Sequence, residues 1–150
     1  PIIGITLTVP VDPERTEVYE EVFGVAVSGQ LVLEINGADG GPYAHKPVHI
    51  NGCNLGDLPT SGDWSEKSVD LTPEALAGLM GRNEVEVFNS PAPDAFKIRN
   101  ARIEVTNATG ARFVTEVETT PHTSVGWLHA EGKIAESGQP IRFYLEFAAK

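Results

Sequence analysis

The segment Ile141-Arg-Phe-Tyr-Leu-Glu-Phe147 contains the clearest pattern in the chain. Apolar side chains stand at its alternate positions, with Arg142, Tyr144 and Glu146 between them. Because successive side chains of a strand point to opposite faces of a sheet, this period of two predicts a strand with one buried face. A strand that is apolar on one side needs a surface to pack against, so the segment also predicts a second layer.

The same period recurs along the chain between turn-forming residues. The other strand candidates are residues 3–9, 18–27, 31–35, 48–50, 85–87, 96–98, 101–105, 113–117 and 125–130. Ser28-Gly29 predicts a hairpin between the second and third of them. Gly (15) and Pro (11) are frequent, as in folds with many turns. We therefore predict an all-β fold, an antiparallel β-sandwich in one domain spanning residues 1–150.

Two local departures from the period of two are predicted, one helix and one β-bulge. The helix covers residues 73–80, because Thr72 is a good N-cap, Pro73 suits the first helical position and Gly81 suits the end. The bulge falls at Arg99-Asn100, where the apolar residues change phase within a strand.

Charge and composition exclude several partners. The net charge of −10 repels phosphate backbones, which predicts no nucleic-acid binding. No apolar run approaches the roughly 18 residues of a membrane-spanning helix, so we expect no membrane insertion. Cys53 is the only cysteine, and one cysteine cannot form an intramolecular disulfide.

A set of turn residues and apolar positions over residues 47–106 resembles a known family. The segments and residues that carry the resemblance are, in order, Val48–Gly52, Leu55–Leu58, Trp64, Val69–Leu71, Leu76, Leu79, Gly81–Val87 and Asp94–Ile103. They are similar to the galactose-binding-domain-like jelly rolls, which occur as carbohydrate-binding modules and as sugar-binding domains attached to glycoside hydrolases. Physically, Asn51-Gly52 supplies a turn that tolerates positive φ, and Asn83 can bond nearby backbone where a strand begins.

The resemblance implies a jelly-roll fold and a non-catalytic module that binds a carbohydrate or another small ligand. It also implies a place in a larger bacterial extracellular or periplasmic protein, with other domains or self-association as further contacts. The alternative is a structural or protein-interaction domain, such as a virion, cell-surface or assembly component. A third hypothesis, a small hydrolase or lyase, would need His122, His129 and Glu131 to converge on one cleft. Common enzyme motifs are absent, so we favour a non-enzyme.

Aromatic residues are the best candidates for sugar contacts, because sugar rings stack their C–H faces on aromatic rings. Trp64 beside Asp63 lies in an irregular loop, and Tyr43 lies in a Gly-rich loop. Trp127 and His129 share one strand phase. Two alternatives remain open: Trp127 also fits the core, where large aromatics commonly lie, and Trp64 could instead fasten its loop to the sandwich.

No cofactor is required for a chain of this size, but a structural Ca²⁺ would suit its many carboxylates. Such an ion lies near the chain ends of related jelly rolls, which here points to Asp12, Glu14 and Glu146. The loop Asn36–Asp39 is a second option. His45 and His49 are four residues apart and could bind a metal ion together if they share a strand face, although surface or packed histidines are the commoner case.

Overall fold

The computed structural model describes residues 16–39, 44–91, 94–124, 130–136 and 138–148. The strands are β1 (Ala26–Asn36), β2 (Ala44–His45), β3 (Pro47–Ile50), β4 (Cys53–Asp57), β5 (Ser65–Asp70), β6 (Arg82–Val87), β7 (Ser90–Pro91), β8 (Lys97–Asn107), β9 (Arg112–Val114), β10 (His122–Thr123), β11 (Lys133–Ile134) and β12 (Ile141–Glu146). Two short helices accompany them, α1 (Tyr19–Phe23) and α2 (Pro73–Ala77). No helix in these ranges is long and apolar enough to cross a membrane.

The strands form two main sheets, which confirms the predicted all-β sandwich. The first sheet has the order β11-β10-β8-β1-β5, and β9 pairs with the free part of β8. The second has the order β12-β6-β3-β4, and β2 pairs with β7 as a separate ribbon. These neighbouring strands are antiparallel except for β10 and β11, which run parallel.

Alternating burial explains why the two sheets pack face to face. In β1, Leu33 and Ile35 are fully buried, while Glu34 between them is only half-buried. β12 behaves in the same way, with its apolar residues inside and Tyr144 exposed. Each sheet therefore offers one apolar face to the other, and burial of these faces drives the folding of the sandwich.

The prediction of a strand over residues 18–27 and a hairpin at Ser28-Gly29 is wrong. Residues 19–23 form helix α1, and β1 runs through Ser28-Gly29 without a turn. Tyr19 and Phe23, one helical turn apart, stack their rings with centroids 4.9 Å from each other. The hydroxyl of Tyr19 donates to the buried Asn107 Oδ1 at 2.7 Å, which fixes α1 on the first sheet.

Helix α2 begins where predicted but ends early, at Ala77 instead of residue 80. The hydroxyl of Thr72 accepts from the N–H of Ala75 at 3.1 Å, which confirms the N-cap. The early end has a local cause, because the N–H of Met80 donates to Oδ1 of Asn83 at 2.9 Å instead of to a helical carbonyl.

Asn51 and Asn83 connect a hairpin turn to the next strand of the second sheet. Asn51 (φ 50°) and Gly52 (φ 84°) form the turn between β3 and β4, as predicted. Nδ2 of Asn51 donates to Oδ1 of Asn83 at 2.9 Å, and the N–H of Glu84 donates back to Oδ1 of Asn51 at 2.9 Å. Asn83 is fully buried, so its bonds are made away from water.

An aromatic cluster closes one side of the sandwich, and its members are Tyr19, Phe23, Phe113 and Phe147. The ring centroids of Tyr19 and Phe147 are 4.8 Å apart, a distance at which aromatic rings attract one another. Phe147 directly follows β12 and its backbone bridges to Thr115, so the cluster joins the end of the second sheet to the first.

Candidate functional site

The predicted bulge at Arg99-Asn100 is present in β8, and it organises the outer face of the first sheet. The pairing of β1 with β8 shifts register between Val32 and Glu34, and Asn100 has a φ of 54°. The bulge directs two side chains to the carboxylate of Glu34. Nε of Arg99 donates to one of its oxygens at 2.8 Å, and Nδ2 of Asn100 donates to the other at 2.9 Å. The bonds from Arg99 and Asn100 lower the pKa of Glu34 below its usual range.

Trp64 lies against this ion pair. The guanidinium carbon of Arg99 is 3.9 Å from the centroid of the Trp64 indole, and Nζ of Lys97 is 5.8 Å from it. At 3.9 Å the guanidinium of Arg99 is attracted to the face of the indole. The backbone N–H of Trp64 donates to Oδ1 of Asp63 at 2.7 Å, which fixes the loop around the ring. Trp64 is half-buried, so part of its surface stays available.

The available part of Trp64 contributes to an open hollow of about 440 Å³, which we call the Trp64 hollow. Its polar and aromatic lining includes Asp39, Thr60, Asp63, Trp64, Ser65 and Lys67. Ser61 and Ala38 exchange two backbone hydrogen bonds of 2.9 Å, which hold this loop to the end of β1. The predicted pair Trp64 and Asp63 is therefore brought together in one concavity, with hydroxyl, carboxylate and ammonium groups beside it.

Lys67 differs from most basic residues of the chain. Within the part of the chain that the structure describes, it and Lys133 are the two lysines or arginines without an ion pair. The basic residues that do form ion pairs are Lys46, Arg82, Lys97, Arg99, Arg102, Arg112 and Arg142. Each unpaired lysine lines a hollow in the surface. Lys67 lines the Trp64 hollow, and Lys133 lines a second hollow together with His122. Sequence could not reveal this, because pairing depends on neighbours across the sheet.

Five of the predicted site residues lie outside the described residues, namely Tyr43, Trp127, His129, Asp12 and Glu14. Of the predicted calcium ligands, Glu146 is described. It lies on the second sheet at the end of β12, and one of its carboxylate oxygens is 3.9 Å from Nε of Arg82. Calcium binding near the chain ends stays a prediction.

The second predicted calcium site is the loop Asn36–Asp39. Here the ammonium group of Lys46 already binds the nearby oxygens. Lys46 is buried, and its Nζ donates to Oδ2 of Asp94 at 2.9 Å and to the carbonyl of Asp39 at 3.3 Å. A second cation at these oxygens would be repelled by this charge. Across the described ranges, no group of three or more His, Cys, Asp or Glu side chains is arranged to hold a metal ion.

His45 and His49 have separate partners. Nδ1 of His45 lies 2.9 Å from Oδ2 of Asp57, whereas His49 packs on the ring of Phe88 with centroids 4.8 Å apart. The structure thus gives each histidine a local contact of its own.

The residues considered for an acid–base centre are paired differently from the sequence-based hypothesis. Nε2 of His122 lies 3.3 Å from the carboxylate of Glu118, while Glu131 binds Nζ of Lys97 at 2.5 Å. The Lys97 bond lowers the pKa of Glu131. Burial lowers the pKa of His122, although Glu118 opposes this shift. Sequence reasoning missed Glu118, because a spacing of four residues carries no signal outside a helix.

Gly132 fixes the strand that carries Lys133 beside His122. Its φ is +61°, and a Cβ at this position would overlap the backbone carbonyl of Pro121. The N–H of Lys133 donates to that same carbonyl at 2.9 Å, so β10 and β11 approach each other closely there. Only glycine combines this backbone conformation with this contact.

Gly132→Ala is expected to destabilise the protein more than Gly138→Ala. Gly138 has a similar φ of +78°, but a Cβ added there would meet nothing within 4 Å, so it isolates the backbone cost of about 1–2 kcal/mol. Gly132→Ala adds the overlap and must push β11 from β10. Thermal melting of both variants measures the difference, and equal melting temperatures would show that the close approach is unimportant.

No protein-family model matches the chain, and a comparison with curated protein sequences found no match.

Proposed function

We propose that the chain is a non-catalytic carbohydrate-binding module that binds a neutral saccharide in the Trp64 hollow. The observation that carries the proposal is the half-buried Trp64 indole, which lies in a concavity together with carboxylate, hydroxyl and ammonium groups. Carbohydrate sites combine an aromatic platform with a few polar groups in this way. The jelly-roll, galactose-binding-like character of the sandwich belongs to the same proposal, as does a role outside the bacterial cytoplasm.

The polar groups support a neutral ligand in preference to an acidic one. Asp39 and Asp63 contribute two carboxylates to the hollow, against the single ammonium of Lys67. With a net charge of −10, the whole chain also repels polysaccharides that carry many negative charges. Carboxylates accept hydrogen bonds from sugar hydroxyls, and the unpaired Lys67 donates to sugar oxygens. Arg99, fixed by Glu34, holds the indole in position, so the platform is ordered before the ligand binds.

The test is retention on immobilised polysaccharides or a glycan array, followed by substitution of the platform. Trp64→Ala is expected to weaken binding about tenfold or more, which corresponds to about 1.4 kcal/mol, because the stacking surface is removed. Tyr144→Ala is the matched control, since Tyr144 is an exposed aromatic that also stacks on an arginine, with Arg82 at 3.8 Å, on the second sheet. Its binding should equal that of the unsubstituted protein.

Two outcomes would contradict the proposal. One is a folded protein that is retained on no glycan, and the other is Trp64→Ala binding as tightly as Tyr144→Ala. The alternative role as a structural or protein-interaction domain gains no specific support from the edge of the first sheet. The edge strand β5 carries Glu66, Lys67 and Asp70, and such charges oppose addition of a further strand.

A further inference from the structure

A second hollow lies at the opposite edge of the first sheet from the Trp64 hollow. We call it the His122 hollow; it has a volume of about 370 Å³, and its polar lining includes His122, Lys133, Glu136, Gln139 and Arg142. It shares no lining residue with the Trp64 hollow. Strands β10 and β11 form one wall, and the beginning of β12 forms another. Its side chains take no part in the proposed function.

His122 is buried but has one unused nitrogen. Its side chain is 4% exposed, and its ring packs on Phe143 with centroids 5.1 Å apart. Nε2 is occupied by Glu118, whereas Nδ1 has no hydrogen-bond partner among the described residues. Among the described residues, Nδ2 of Asn89 is the one side-chain nitrogen or oxygen that is fully buried and also lacks a hydrogen-bond partner. Since Nδ1 of His122 lacks a partner but is not in that class, it keeps contact with solvent. A solvent-accessible polar atom on an otherwise buried side chain that lines a hollow is available to a ligand.

The contact with Glu118 determines what Nδ1 can do. An ionised carboxylate only accepts hydrogen bonds, so Nε2 of His122 carries the ring hydrogen and donates a hydrogen bond to Glu118. Burial lowers the pKa of His122, which keeps the imidazole neutral near pH 7. Nδ1 is then an acceptor with a free lone pair. It fits a hydroxyl or another donor of a ligand and does not fit a bare anion.

The charges around the hollow define the other half of the ligand. Lys133 is exposed and forms no ion pair within the described ranges, whereas Arg142 is already bound to Glu86 at 2.7 Å. Glu136 places one carboxylate in the lining. A single available ammonium beside a single carboxylate suits a ligand with one negative charge, because a dianion would be repelled more strongly by Glu136.

We propose that the His122 hollow binds a hydroxylated carboxylate of the sugar-acid type. The ligand carboxylate pairs with Lys133, and a ligand hydroxyl donates to Nδ1 of His122. Gly132 makes the pair of contacts possible, because it lets β11 lie close enough to β10 for Lys133 to line the same hollow as His122.

The experiment titrates sodium D-glucuronate into the protein and follows the ring C–H signals of His122 by NMR. D-glucose, which lacks the carboxylate, and acetate, which lacks the hydroxyls, are the matched control ligands. Glucuronate is expected to shift the His122 signals to saturation, and both controls are expected to bind at least about tenfold more weakly, because each loses one of the two contacts. This readout is independent of glycan retention at Trp64.

Three surface variants separate the contributions to binding. Lys133→Gln should weaken glucuronate about tenfold, since a charge-assisted hydrogen bond is lost. Arg112→Gln, which removes an exposed positive charge that lines neither hollow, should leave binding unchanged, and Glu136→Gln should leave it equal or tighter. The proposal is overturned if the His122 signals do not respond to glucuronate, if glucose or acetate binds equally well, or if Arg112→Gln and Lys133→Gln have the same effect.

Discussion

Asn83→Ala is expected to lower the free energy of unfolding by about 3 kcal/mol or more, because several buried groups lose their partners at once. Nδ2 of Asn83 donates to the carbonyls of Met80 at 2.7 Å and Leu145 at 3.3 Å. Its Oδ1 accepts from the N–H of Met80 and from Asn51. Alanine replaces none of these bonds. Thermal unfolding should show the melting temperature falling by roughly 10 °C in a domain of this length.

Asn54→Ala is the matched control for this prediction. Asn54 is exposed, and its Oδ1 accepts one bond, from the N–H of Gly56 at 2.8 Å. Its loss should cost about 0.5–1 kcal/mol, because water can satisfy the freed group. If the two alanine variants had the same melting temperature, the buried amide network would not be important for stability.

Phe147→Ala is expected to cost about 3–5 kcal/mol, as other large-to-small substitutions of buried aromatic residues do. Phe147 is 1% exposed, and its ring contacts Tyr19 and Phe23 at centroid distances of 4.8 and 5.6 Å. Alanine would leave a cavity beside α1 and remove the contacts that join β12 to the first sheet. Urea unfolding gives the free energy of unfolding directly.

Phe147→Leu serves as the control, because it keeps an apolar side chain of similar volume. It should cost no more than about 1.5 kcal/mol. A Phe147→Ala protein whose stability equals that of Phe147→Leu would show that the cluster collapses around the missing ring. The prediction of a cavity would then be wrong.

The sequence predicts those parts of the fold that depend on near neighbours in the chain. Alternation in the segment Ile141–Phe147 predicts β12, and the change of phase at Arg99-Asn100 predicts the bulge. The Asn51-Gly52 turn and the Thr72 cap are likewise local. In each case the controlling interaction is a backbone preference or the period of side-chain burial.

The errors of sequence reasoning arise where distant residues decide the structure. Residues 18–27 have strand-like composition, yet Tyr19 bonds Asn107 and Phe23 packs on Phe113, and these contacts favour a short helix. Ser28-Gly29 has turn chemistry, but pairing with β8 keeps it extended.

The candidate sites follow the same rule. Trp64 and Asp63 are adjacent in the chain and could be proposed together from the sequence. The unpaired state of Lys67 and Lys133, and the pairing of His122 with Glu118, depend on which charges meet across sheets and loops. No local pattern specifies those meetings, so the His122 hollow could not be predicted from composition or spacing.

The buried Asn107 has a consequence for how the protein can be produced. Asn107-Ala-Thr109 has the form of an N-glycosylation sequon, and an oligosaccharide would be attached to Nδ2 of Asn107. In the folded chain this atom donates to the carbonyl of Phe23 at 2.8 Å and has no room for a substituent, because Asn107 is 3% exposed. A chain glycosylated there during eukaryotic secretion could not dock α1 on the first sheet. Thr109→Ala removes the sequon and leaves both side-chain hydrogen bonds of Asn107, to Tyr19 and to the carbonyl of Phe23, in place.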